Sequence, residues 1–267
     1  MNSKTIIRAA VYAVAAIVCL AGAGWFTTQQ VAGQETKKQI YRPGLRNSFA
    51  GHPLNAEELN LALAQLRSKT GFTRMRFDED GFLTIDDRSQ IAGGSATARE
   101  LLLAAVDGKK TILLQSRNRS PEVVFARVGS HTVFEGWQST KQIEMAPIEI
   151  DFADFGHLRG ERKALEAFDL GFAILHELCH AALEMRDPSE GVKAAGDCER
   201  IVNRIRRELG MPERQHYEAR IYQRTSSVTL NKIIGELTFA QTNPGAKTKR
   251  LFLTWDAREV GNILRRQ

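Results

Sequence analysis

The chain has 267 residues, 43% hydrophobic and 25% charged, with a formal net charge of +6. That length holds one ordinary domain, or one domain with a small appendage, and the composition excludes disordered, fibrous and disulfide-dense scaffolds. Basic residues gather at Arg200 to Arg214 and at Lys247 to Arg250 without aromatic residues to stack bases. Arg200, Arg204 and Arg207 fall opposite the apolar stripe of their helix, so nucleic acid is not an expected partner.

Residues 1–33 differ from everything that follows. Lys4 and Arg8 precede an almost unbroken apolar run from Ala9 to Phe26, and small residues follow at Ala21-Gly22-Ala23 and Val31-Ala32-Gly33. This reads as a signal peptide, with an uncleaved membrane anchor over residues 9–26 as the alternative, because the run is close to the shortest that spans a bilayer. Either way the body is expected outside the cytosol, periplasmic, secreted or tethered, meeting a membrane only through this segment.

Residues 34–54 read as a linker, from polar composition and the loop signals at Pro43-Gly44 and Gly51 to Pro53. A single domain is expected over residues 55–267. Its first helix is capped by Asn55 and stopped by Gly71, and Leu59, Leu63 and Leu66 recur at helical spacing. A hairpin follows, Thr73 to Phe77 and Phe82 to Ile85 around Asp80-Gly81. Ser95 starts a second helix that Asp107-Gly108 ends, and strands are expected at Thr111 to Gln115 and Val123 to Val128. Ile143 to Phe152 alternates around Pro147, and a proline argues for an edge strand.

From Glu161 to Met185 the sequence is apolar almost all round, which predicts one long buried helix ended by Asp187-Pro188. Asp197 to Leu209 forms another, and strands follow at Glu218 to Arg224, Ile233 to Ala240 and Arg250 to Trp255. The fold class is therefore α+β: a small mixed sheet packed on a buried helix, a second helix beside it, and C-terminal strands.

The buried helix carries His176-Glu177-Leu178-Cys179-His180. Four residues advance about 400° and about 6 Å, so His176 and His180 project from one side and can share one cation. Glu177 is turned about 100° away, beside that cation, where it suits a general base. Two imidazoles and a carboxylate in an apolar helix need partners, and a metal supplies one. A catalytic Zn2+ takes three protein ligands and leaves a place for water. Glu199 is the favoured third ligand, with Asp197, Glu184 and His216 as alternatives. Asn203, one turn beyond Glu199, is placed to orient a ligand histidine. Tyr217, His216 and Arg214 are candidates by position for an oxyanion donor, and an ordinary structural role is the other reading of Tyr217. Cys179 and Cys198 flank the metal residues, and an oxidising compartment permits a disulfide between them; two buried thiols are the other reading.

On these residues the chain resembles the gluzincin metallopeptidases, in which His-Glu-x-x-His is followed about twenty residues later by Glu-x-x-x-Asp on a second helix. Here the second motif reads Glu199-x-x-x-Asn203. Within residues 176–217, the run Val202 to Arg214 with Tyr217 beyond it resembles bacterial effector and polymorphic-toxin metallopeptidases. The resemblance implies a zincin-like fold, zinc-dependent hydrolysis of a protein or peptide substrate, and an edge strand above the active helix that binds extended substrate, for which Ile148 to Phe152 is the candidate. The alternative is a non-catalytic exported domain that binds zinc or a partner.

Overall fold

The computed structural model describes residues 42–49, 51–129, 131–134, 142–187, 195–224, 232–242, 245 and 247–261. The signal or anchor segment and the first part of the linker lie outside the described residues. No helix among the described residues is long and apolar enough to cross a membrane. Residues 41–267 form one compact unit, and it is α+β.

Part of the stretch that composition marks as linker is already structural. β1 (Gly44–Asn47) pairs in parallel with β4 (Thr111–Ser116), and β4 pairs in parallel with β7 (Gln142–Ile150). β5 (Ala126–Val128) and β6 (His131–Phe134) then run antiparallel to β7 on its other side. Leu45, Ile112, Leu114, Ile148 and Ile150 put their side chains in the main core. The hairpin β2 (Met75–Phe77) and β3 (Leu83–Ile85) forms around Gly81, whose φ of 82° is one that glycine adopts without strain.

β7 is an interior strand, so the edge position expected from Pro147 does not hold. The proline is accommodated because Pro147 faces Gly129, beyond the end of β5, whose N–H donates to the Pro147 carbonyl at 2.8 Å. The ring's missing N–H therefore falls where the neighbouring strand is interrupted.

α1 (Ala56–Thr70) and α2 (Ala96–Val106) pack on this layer. Asn55 and Glu58 close a capping box at the start of α1, and Ser95 Oγ accepts from Ala98 N at the start of α2. Two short helices, α3 (Phe152–Gly156) and α4 (Arg162–Glu166), precede the central one. The helix expected from Glu161 to Met185 is in fact broken after α4, and α5 begins anew at Leu170 and runs to Leu183. Asp169 is the cause: its carboxylate caps the Phe172 N–H and pairs with the buried Lys69 amine at 2.5 Å. A cap in mid-sequence starts a helix rather than continuing one.

α5 is buried on most sides, by Leu170, Phe172, Ile174, Leu175 and Leu178 among others. α6 (Asp197–Glu208) packs beside it. Behind lies an antiparallel sheet of β10 (Arg220–Arg224), β11 (Lys232–Gln241), β12 (Lys249–Asp256) and the two-residue β8 (Arg159–Gly160), with β9 (Glu213–Arg214) also on β11. A second core forms between this sheet and α4, built from Phe125, Phe168, Leu237, Phe239, Leu253 and Trp255.

Candidate metal centre

His176 and His180 lie one turn apart on α5, and their Nε2 atoms face each other at 3.2 Å. Two nitrogen lone pairs so close repel unless a proton or a cation stands between them. The third group that converges is Asp187: Oδ1 lies 3.5 Å from His176 Nε2 and Oδ2 lies 3.2 Å from His180 Nε2. One ligand atom from each of the three falls within 4.8 Å of the others, a separation one metal ion can span.

Asp187 reaches this point because the chain reverses at Glu184. That residue ends α5 in the left-handed region, with φ 57°, so the loop folds back over the last turn instead of leaving along the helix axis. The Met185 carbonyl then meets Nδ1 of His180 at 2.7 Å. That bond places the ring's proton on Nδ1 and turns the lone pair of Nε2 toward Asp187.

Glu199, expected as the third ligand, takes a different place. It faces the other nitrogen of His176, with Oε2 3.5 Å from Nδ1, an ion contact longer than a well-formed hydrogen bond. Its remaining capacity goes to two arginines: Arg206 Nη1 bonds Oε1, and Arg214 Nη1 bonds Oε2 at 3.2 Å. Asn203 does not meet a histidine either. Its Oδ1 accepts from Arg206 Nη1 and the Arg214 N–H, both at 2.8 Å, and its Nδ2 donates to the Arg214 carbonyl. Asn203 therefore locks the arginines that hold Glu199.

The other candidates for third ligand lie elsewhere. Asp197 is exposed and paired with Arg200, Glu184 pairs with Lys110 at 2.7 Å, and His216 is exposed outside the converging group. Tyr217 is at the centre. Its hydroxyl donates to Asp187 Oδ2, and its ring stacks on His176 with centroids 5.8 Å apart. Cys179 and Cys198 are free, buried thiols rather than a disulfide. They are nonetheless neighbours, and Cys198 Sγ lies 3.3 Å from Nδ1 of His180.

The electrostatics describe a site that attracts a cation. Burial disfavours a charged His176 ring, but Asp187 and Glu199 outweigh it and raise the ring to about 9. Burial pushes the Asp187 and Glu199 carboxyls upward, yet both end well below the usual range: His176 and His180 dominate at Asp187, and Arg206 and Arg214 at Glu199. Glu177 goes the other way. Its burial raises it, although the two histidines and a hydrogen bond from the Val128 N–H partly counter this. A carboxyl held above its ordinary range is poised to take and return a proton.

Oδ1 of Asp187 is buried without a hydrogen-bond partner among the described residues. An orphaned carboxylate oxygen beside two imidazole nitrogens fits a metal, because a metal completes what no protein group does. A cleft of about 800 Å3 opens onto these groups, lined by Val128, Met145, Glu177, His180, Asp187 and Tyr217 among others. Its wall is β5, which pairs only with β7 among the described residues, rather than the interior segment Ile148 to Ile150 or Phe152, which belongs to α3.

Sequence reasoning took Asp187 only as a helix stop and β5 only as a strand, and gave Arg206 no role. Asp187 was visible as an acid shortly after the second histidine, but its role depends on a non-glycine residue adopting a left-handed turn. Arg206 was concealed among surface arginines on α6, although it is 1% exposed. The chain matches no protein-family model, no curated protein and no solved structure.

Proposed function

We propose that this chain is a zinc-dependent hydrolase of peptide bonds, with His176, His180 and Asp187 as the metal ligands and Glu177 as the general base. The observation that carries the reading is the convergence of two imidazole nitrogens and an unpartnered carboxylate oxygen beside a buried glutamate, at the wall of an open cleft. Zn2+ suits a set of two nitrogens and one oxygen, and when bound it supplies Lewis acidity to a substrate carbonyl and acidifies water.

The protein's own groups divide the remaining work. Glu177, lifted by burial, accepts a proton from the attacking water and delivers it to the leaving amine. Tyr217 is set to donate its hydroxyl to the developing oxyanion, a role open to it because burial and Asp187 both raise its pKa and keep the proton on. β5 offers its other edge to an extended peptide, which binds by strand addition. Glu199 holds the His176 ring from behind, so its role moves from ligand to orienting partner and the likeness to gluzincins weakens at that position. A zincin-like packing of the mixed sheet over α5 belongs to the same proposal, as does export guided by residues 1–33.

A structural zinc site would be closed by four protein ligands. Among the described residues three donors converge beside an adjoining cleft, and this favours catalysis over a non-catalytic binding domain.

Glu177→Gln provides the test, read by metal content and by cleavage of a mixed peptide library. The variant should keep one zinc per chain and lose cleavage by about 100-fold or more. Wild-type cleavage by Glu177→Gln would overturn the assignment.

A further inference from the structure

Behind the metal helix lies a second cavity, of about 540 Å3, distinct in character from the polar cleft in front. Glu177 and Tyr217 line both spaces, so the two adjoin at the proposed general base. The rear cavity has an aromatic wall, with Phe125, Phe168 and Trp255, and a charged one, where Glu199 is already paired with Arg206 and Arg214. Phe125 meets Phe168 edge to face at 5.0 Å and 87°, and Trp255 at 5.3 Å and 90°. The indole fits because residue 235, opposite it on β11, is a glycine, and a Cβ there would collide with the ring. Nε1 of Trp255 is buried without a hydrogen-bond partner among the described residues. The small side chains of Ala173, one turn before Glu177 on α5, and Ala219 leave the space open.

Resting on the hydrolase reading, we infer that this cavity is a specificity site for a large aromatic side chain of the substrate, with Ala173 and Ala219 setting its capacity. A volume of this size admits one such ring with room to orient, and an additional ring extends the edge-to-face arrangement already present. Small side chains gain little there because they leave the aromatic wall wet, and charged ones gain little because Glu199, Arg206 and Arg214 already satisfy one another. Ala173→Phe and Ala219→Phe each place a ring from the protein where the substrate's ring would go.

The test uses the full chain, both zinc-free and zinc-loaded. Binding of N-acetyl-phenylalaninamide, N-acetyl-alaninamide and N-acetyl-aspartamide to the zinc-free protein is followed by nuclear magnetic resonance shifts. Cleavage by the zinc-loaded protein is followed on peptides that vary only at one residue flanking the cut. The aromatic amide should bind at least about tenfold more tightly than the other two, and cleavage should favour phenylalanine over alanine by about 10- to 100-fold. Ala173→Phe should erase both preferences while zinc content stays at wild-type level. If Ala173→Phe fails to fold, Ala219→Phe serves from the opposite wall. Equal binding of all three amides, or a preference that survives both fillings, would overturn the inference. Aromatic binding without any cleavage would leave the cavity assignment standing and count against the hydrolase reading alone.

Discussion

The loop that leaves α5 and the helix α6 each deliver a carboxylate to the ring of His176, both at 3.5 Å but to different nitrogens. On the loop, Asp187 is 29% exposed, carries one unpartnered oxygen and is held by Tyr217 and the histidines. On the helix, Glu199 is 1% exposed and saturated by Arg206 and Arg214. Residue type and distance are nearly the same, so what separates the proposed ligand from the proposed support is the remaining capacity of each carboxylate. A group with an oxygen to spare at an open cleft can bind a metal. A group already neutralised by two guanidinium ions cannot take one without releasing them, and in a buried place that release is costly.

The sharpest way to break this contrast is to remove each carboxylate in turn. Glu199→Ala should leave Arg206 as a buried cation without its partner, and lower folding stability by about 3–5 kcal/mol in urea unfolding of the zinc-free protein. Asp187→Ala should cost less of that stability than Glu199→Ala, since Asp187 is partly exposed, and should weaken zinc by roughly 100-fold or more, read by competition with a chromophoric chelator. If the two variants exchange these effects, Glu199 is the ligand and Asp187 the support.

How far the contrast was legible beforehand depends on what each residue requires. The capped starts of α1 and α2, the hairpin at Gly81 and the three C-terminal strands follow from local chemistry, and their boundaries agree with the structure within a few residues. His176, Glu177 and His180 were legible for the same reason, since helical spacing alone places them. The third converging group was not, because Asp187 reaches the histidines through a left-handed Glu184, where a glycine would have announced the turn. Glu199 was expected as the third zinc ligand, and the structure sets it beside Nδ1 of His176, apart from the group formed by His176, His180 and Asp187. Its two arginines come from positions 206 and 214, and only tertiary packing shows that they occupy its oxygens. Pro147 misled for a related reason: the interruption beyond β5 that tolerates it belongs to another strand.

Tyr217 bridges the two regions, with its hydroxyl on Asp187 and its carbonyl bound by Arg214. Tyr217→Phe removes only the hydroxyl. It should retain zinc within a fewfold and lower kcat by about tenfold or more with KM little changed, as expected of a donor used in the transition state. A loss confined to zinc affinity would assign the hydroxyl to orienting Asp187 instead.

The smallest effect concerns the far end of α6, and it asks whether this helix is as firmly fixed as the contrast requires. Glu208 reaches across to the start of α2, where Oε2 accepts from Ser95 Oγ at 2.6 Å and the Thr97 N–H at 3.1 Å, and Oε1 from Thr97 Oγ1 at 2.5 Å. Burial alone would raise this carboxyl, but these donors outweigh it and bring it from 4.5 down to about 2. A carboxyl depressed by folding stabilises the native state fully above its unfolded value, and loses that contribution as pH falls from about 4.5 toward about 2. Glu208→Ala should therefore cost about 1–2 kcal/mol at neutral pH, a reasonable value for hydrogen bonds to a charged acceptor at a helix start. The difference between variant and wild type should shrink through the acid window, in denaturant titrations at pH 7, 4 and 3. A constant difference at all three would mean that Glu208 contributes packing rather than charge, and that α6 is pinned at its Glu199 end alone.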